Sequence, residues 1–241
     1  KKLWFLVGGW LLKWGPACLT AAIIIILLHS GKLHAQPCGD AVTFTDPRDG
    51  KVYHTVRIGD QCWMSENLAW LPEVFHPSQV SASEARYYVY WYFDGDVAEA
   101  KNDENYLGYG VLYNWPAARD ACPTGWHLPG DSEWQELTRQ LGGTAHAGGK
   151  LKSRRVTPDP HPRWVYPNEG ATDAFGFSAL PAGACYNDGQ FGNRGSQASF
   201  WSSTPYVEGH AWSQNLYGDG KLMFRHHFPW QDGFSVRCIR D

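Results

Sequence analysis

Most of the side chains with which this chain could do chemistry fall between Cys185 and Asp232. Tyr186, Asn187, Asp188, Phe191, Trp212, Tyr217, His226, His227 and Trp230 stand there among Asn, Gly and Gln. Aromatic faces stack on sugar rings and anchor protein interfaces. Tyr, Ser, Gly and Asn are also the residues of adaptable binding loops. The mixture reads as a ligand-binding surface rather than a catalytic one. Buried aromatics dominate cores, so about half of these rings are expected to be structural. Phe200 and Trp201 are assigned to the core.

Catalytic signatures are missing from the sequence. No Gly-x-Ser-x-Gly, no His-Glu-x-x-His and no phosphate-binding glycine loop occurs. Cys185 has no activating base beside it, so a buried free thiol is the preferred reading over a nucleophile. His226 and His227 are adjacent, and on a strand they point to opposite faces, which keeps them from sharing one metal ion. His127 is assigned to packing or hydrogen bonding. The paired carboxylates of a glycoside hydrolase need not be neighbours in sequence, and no local signal supports them. The chain is accordingly read as not an enzyme, with no cofactor.

The body that must position these residues is acidic, aromatic and loop-rich. Its 241 residues include 13 Trp, 26 Gly and 15 Pro, and 43% are hydrophobic, enough for a core. Residues 1–35 carry four lysines and no acid, and the remaining 17 basic residues face 24 acidic ones. A body with that balance argues against nucleic acid and against anionic lipid as partners.

The first 35 residues have the order of a secretory signal peptide: lysines, the apolar run Ala17–Leu28, then a polar stretch ending Leu33-His34-Ala35. The run is 12 residues long, short of the ~20 that span a bilayer. Cleavage is expected after Ala35, leaving no membrane span; an uncleaved anchor over Trp4–Leu28 is the competing reading. Export implies an oxidising compartment, in which cysteines pair. Cys18 leaves with the leader. Cys38, Cys62, Cys122, Cys185 and Cys238 remain, and their odd number leaves one over.

Local patterns supply the elements. Val42 and Phe44, then Val52 to Ile58, are strand-type residues around an Asp46–Gly50 turn, and Gly59-Asp60 is a second turn. The run Tyr87–Phe93 reads as a buried strand, and 94–96 and 102–105 as polar loops. Asn114 caps a short helix with Pro116 in its first turn. A second helix places Trp134, Leu137 and Leu141 on one face, with Ser132 and Gln135 as its capping box and Gly142-Gly143 as its stop. Residues 143–172 read as a long excursion. Short strands follow at Gly176–Leu180, Ser199–Ser203, Ala211–Leu216, Lys221–Phe224 and Gly233–Arg240.

The segments YGVLYNWPAARDACPTGWHLPGDSEWQEL, ATDAFGFSALPAG, FGNRGSQASFWSST and GFSVRCIRD, with DGKVYHTVRIGDQCWMSENL near the start, resemble the Fibrobacter succinogenes major paralogous domain. That family of exported bacterial proteins is in turn similar to C-type lectin-like and sulfatase-modifying-factor folds. The resemblance implies an α+β, C-type lectin-like fold that is loop-rich, with two short helices and small antiparallel sheets. It implies a bridge from the first-helix Cys122 to the last-strand Cys238, which leaves Cys38–Cys62 as the second pair and Cys185 as the odd thiol. It also implies an N-terminal β extension over 36–85 and the lectin-like domain over 86–241.

Lectin-type sugar binding through calcium uses Glu-Pro-Asn or Gln-Pro-Asp with Trp-Asn-Asp, and none of these is present. Asn168, Glu169 and Asp173, with Asn187 and Asp188, are the oxygen ligands the sequence offers calcium. Their preferred reading is as turn residues. The expectation is therefore an exported, non-catalytic recognition or adhesion protein at the surface of a Gram-negative bacterium, binding a glycan or a surface protein. A structural subunit of a surface assembly is the alternative, and a hydrolase or oxidase using the same cleft the less favoured one.

Overall fold

The computed structural model describes Cys38 and residues 42–241, which belong to one compact unit. The leader, its cleavage after Ala35, the anchor alternative and Cys18 lie outside the described residues.

The N-terminal strands follow the alternation of their side chains. β1 (Thr43–Thr45) and β2 (Val52–Ile58) are joined by the expected turn, where Gly50 takes a φ of 75° and the Asp46 carboxylate accepts from the Arg48 backbone N–H. β2 buries Tyr53, Val56 and Ile58, and Gly59 (φ 60°) turns it into β3 (Gln61–Met64). These strands share a sheet of order β1-β2-β3-β12-β6 with β12 (Ile239–Arg240) and β6 (Trp126–His127). Strands from both ends of the described chain therefore lie side by side. Both expected disulfides form, Cys38–Cys62 and Cys122–Cys238, and Cys185 is free and buried. The Cys122–Cys238 bridge spans 116 residues, a loop worth about 4–5 kcal/mol in the chain-entropy model.

The middle of the chain holds more helix than its sequence suggested. The two expected helices are present as α3 (Trp115–Arg119) and α4 (Asp131–Gln140). Asn114 caps α3 by accepting from the Ala117 N–H at 3.1 Å. α4 starts two residues earlier than expected: Gly130, not Ser132, is its N-cap, and Glu133, not Gln135, reaches back to the Gly130 N–H at 2.7 Å. Three further helices appear that the sequence reading did not give: α1 (Val97–Ala100), between the two segments read as polar loops, α2 (Glu104–Tyr109), which overlaps the second of them, and α5 (Thr144–Leu151), within the excursion 143–172. Asp96 and Asp103 cap the first two, accepting from Ala98 and Asn105 N–H groups. α5 looked like a loop because of Gly148 and Gly149. Both are required by close packing, since a Cβ would stand 2.2 Å from the Leu222 carbonyl oxygen and 2.4 Å from that of Gly170.

The run Tyr87–Phe93 is a correction of the opposite kind. Only Tyr87–Tyr88 form a strand, β4, paired with β5 (Leu112–Tyr113). The chain turns at Trp91 and exposes Trp91 and Phe93. Gly176–Leu180 forms no strand beyond a bridge from Ala179 to Lys152, and Gly233–Arg240 is strand only at Ile239–Arg240.

The C-terminal half ends in a three-stranded antiparallel sheet, β11-β10-β9, from β9 (Gln197–Val207), β10 (His210–Tyr217) and β11 (Met223–Pro229). A hairpin of β7 (Ala184–Cys185) and β8 (Phe191–Gly192) precedes it. The sheet packs one face on α4 through Trp134, which meets Trp63 at 4.7 Å and Phe200 at 5.8 Å between ring centroids. Both Trp134 and Phe200 are buried, as expected, and truncating a fully buried aromatic of this kind to Ala costs about 3–5 kcal/mol.

Candidate recognition face

Pleating divides the nine sequence-derived site residues. Tyr217 and His226 lie on the sheet face away from α4, because Tyr217 pairs with Gln197 and His226 with Ser213. Phe224 and Phe228 join them: Tyr217 meets Phe224 at 5.4 Å, and Phe224 and His226 are parallel within 8° at 5.8 Å. Trp212 and His227 are directly opposite each other on the other face. There Tyr206 stacks on His227 at 4.0 Å, and the Arg225 guanidinium covers the Trp212 ring at 3.2 Å while its Nε donates to Asp131 at 2.7 Å. The Trp212 ring is thus largely engaged. So is that of Trp230, which stacks on Trp115 at 4.8 Å.

Tyr186, Asn187, Asp188 and Phe191 belong to the β7–β8 hairpin. Its Asn187-Asp188-Gly189 turn is closed by Gly189 at φ 79° and by the Asp188 carboxylate accepting from the Gln190 N–H. The Tyr186 hydroxyl accepts from Asn193 Nδ2 at 2.6 Å, and Asn193 also donates to Gln197. From Gln197 a buried ladder of hydrogen bonds continues through Ser199 and Asn215 to Ser213. Every side chain of that ladder is at least nine-tenths buried, and its mutual bonds fix the sheet face under Tyr217 and His226.

The sequence reading missed an exposed aromatic close to the hairpin. Trp91 is 62% exposed and holds φ at 62°, a left-handed conformation rare for a bulky side chain. Phe93 packs edge-on to it at 5.6 Å, and Phe191 touches Phe93 at 5.9 Å and Tyr90 at 5.1 Å. Beside these rings lies a cleft of about 370 Å³ lined by Tyr90, Trp91, Glu104, Asn105 and Arg194. The available signal was the Asp94-Gly95-Asp96 turn directly after the aromatic run. A strand that ends in such a turn has no core on which to bury its last rings.

One buried acid, Asp232, and one buried thiol, Cys185, lie at the base of the hairpin. Burial pushes the Asp232 carboxyl up to about 7, against the Asn187 N–H that it accepts at 2.8 Å, with Asp188 adding to the rise. Burial likewise pushes the Cys185 thiol up to about 12. A thiol held protonated in this way is a poor nucleophile.

Several of the calcium candidates are engaged by other groups. The Asp173 carboxylate accepts from the Ser178 N–H and hydroxyl, and Asn168 Nδ2 donates to the Ser153 carbonyl. The Glu169 carbonyl is taken by the buried Lys152 ammonium, which also donates to the Tyr217 and Gly220 carbonyls at 2.9 and 2.7 Å. Among the described residues no group of three or more His, Cys, Asp or Glu side chains is arranged to hold a metal ion.

Residues 56–240 match the family model described as the Fibrobacter succinogenes major domain. No curated protein and no solved structure matches the chain.

Proposed function

The chain belongs to the Fibrobacter succinogenes major domain family, and we propose that it serves as an exported, non-catalytic recognition protein that binds a glycan. The observation that carries this reading is two sets of exposed rings: Trp91 and Phe93, which pack beside Phe191 of the hairpin, and Phe224 and His226, which lie parallel on the sheet. Rings left open to water over a rigid polar ladder suit stacking on sugar faces.

Export is supported by the two disulfides, which persist in oxidising compartments. The finer reading of the fold, a C-type lectin-like arrangement, is part of the proposal. It is supported by the bridge from Cys122, just after α3, to Cys238, just before the last strand, and by the shared sheet of first and last strands. Calcium is not part of the proposed site, a reading supported by the Lys152 ammonium, which already donates to the Glu169 carbonyl of the candidate segment.

The test is a glycan array probed with residues 36–241, with calcium and with chelator. Binding that survives chelator supports the proposal as stated. Binding lost in chelator keeps the lectin and overturns its independence of calcium. No glycan binding, with concentration-dependent self-association instead, moves the reading to a subunit of a surface assembly.

A further inference from the structure

We propose that the cleft between Trp91 and Arg194 is the sugar-ring subsite of this face, and that its occupant is a neutral pyranose unit of a polysaccharide; this assignment rests on the glycan reading above. Three observations carry it. The first is the stacking surface: Trp91 is 62% exposed and is held outward by a left-handed backbone. The second is the polar set beside it. Asn105 lines the cleft although it is only 5% exposed, and it is fixed at the start of α2 by Asp103, which accepts from its N–H at 2.7 Å. Its Oδ1 accepts from Arg194, while its Nδ2 donates to no group among the described residues. The Arg194 guanidinium makes no other hydrogen bond among the described residues, and its carboxylate neighbour, Glu104, stands 3.9 Å away and is 82% exposed. Unspent donors on Arg194 and Asn105 and a loosely held acceptor on Glu104 surround one cleft of about 370 Å³. Adjacent sugar hydroxyls, which both donate and accept, match that set.

The third observation is charge, which selects against other ligands. The segment leading into the cleft carries Asp94, Asp96, Glu99, Asp103 and Glu104 against the single Lys101. A polyanion would be repelled there. The Tyr90 face is already taken by the Arg194 guanidinium, at 5.4 Å from the ring centroid, which leaves Trp91 as the open ring of the cleft.

The experiment measures binding of the protein to a mixed-linkage β-glucan, a xyloglucan and a galactomannan as neutral probes, and to polygalacturonate as the acidic one. Trp91→Ala and Arg194→Ala are run beside the wild type, with Tm recorded for each. The expected result is binding to at least one neutral polymer, weakened about 30-fold or more by Trp91→Ala and about 10-fold by Arg194→Ala, as for anchors of an interface. Trp91 is 62% exposed and the Arg194 side chain 31%, so the recorded Tm separates a loss of fold from a loss of binding in each variant. Neutral-glycan binding that survives both substitutions overturns the subsite and leaves the recognition reading standing. Binding of polygalacturonate alone overturns the neutral class. Failure of every glycan overturns both readings and favours a protein partner.

Discussion

The Lys152 ammonium donates to the Glu169 carbonyl at 2.9 Å, inside the segment whose oxygens the sequence offered to calcium. With its bonds to the Tyr217 and Gly220 carbonyls, it joins the end of α5 to the Glu169 segment and to the β10–β11 connection. Removing the charge would orphan three acceptors, each costing about 1–3 kcal/mol if buried and unpaired. Lys152→Met is therefore expected to destabilise the protein by about 3 kcal/mol or more, measured by denaturant unfolding. The wild-type Tm is expected to be the same in millimolar calcium and in chelator, because a ligand that binds only the folded state would raise it.

Trp91 spends stability on its exposure. A non-glycine residue in the left-handed region costs on the order of 1–3 kcal/mol. Trp91→Gly removes that strain along with a ring that is mostly in water. Its Tm is expected to equal or exceed that of the wild type while glycan binding is lost. A large drop in Tm would show that the ring is structural.

Asp232 makes stability depend on pH in a defined direction. Its carboxyl is raised in the folded state to about 7 from an ordinary 3.8, so the folded protein binds the proton more tightly than the unfolded chain. The contribution is fully present below the ordinary value and is lost as pH rises to the folded one. Asp232→Asn keeps an acceptor for the Asn187 N–H without the charge. The variant is expected to match the wild type at pH 5 and to be more stable by roughly 2–4 kcal/mol at pH 8, read from thermal melts at each pH.

His127 works the other way round in chemistry but shows the same sign. Burial lowers its proton affinity, yet hydrogen bonds to Asp241 at 2.6 Å and to Glu133 at 2.8 Å outweigh that and raise it overall. Its stabilisation is fully present below the ordinary imidazole value of 6.5 and fades as pH rises through the folded one. His127→Gln is expected to lose more Tm at pH 5.5 than at pH 8.5. Equal losses at both would show that the imidazolium pairs contribute nothing, as is common for exposed ion pairs.

By itself the sequence determined what local chemistry decides. Asn114 capped its helix, Gly50 and Gly59 made their turns, and Trp134, Leu137 and Leu141 found one buried face, because caps, turns and helical periodicity act between residues a few positions apart. The segments quoted for the family resemblance lie within the matched residues 56–240 for most of their length, and the bridge they implied, Cys122–Cys238, forms. Only the tertiary structure decided which rings stay in water. Trp91 and Trp230 look alike in sequence, each a Trp among aromatic and polar neighbours. Trp230 is covered because Trp115, far away in the chain, arrives against its face, and Trp91 is open because among the described residues its ring meets only the rings of its near neighbours Tyr90 and Phe93. The same holds for α5, whose glycines read as a loop until the backbones of Gly170 and Leu222 came close enough to require them. Exposure and close approach are sums over distant contacts, and no pattern of near neighbours contains them.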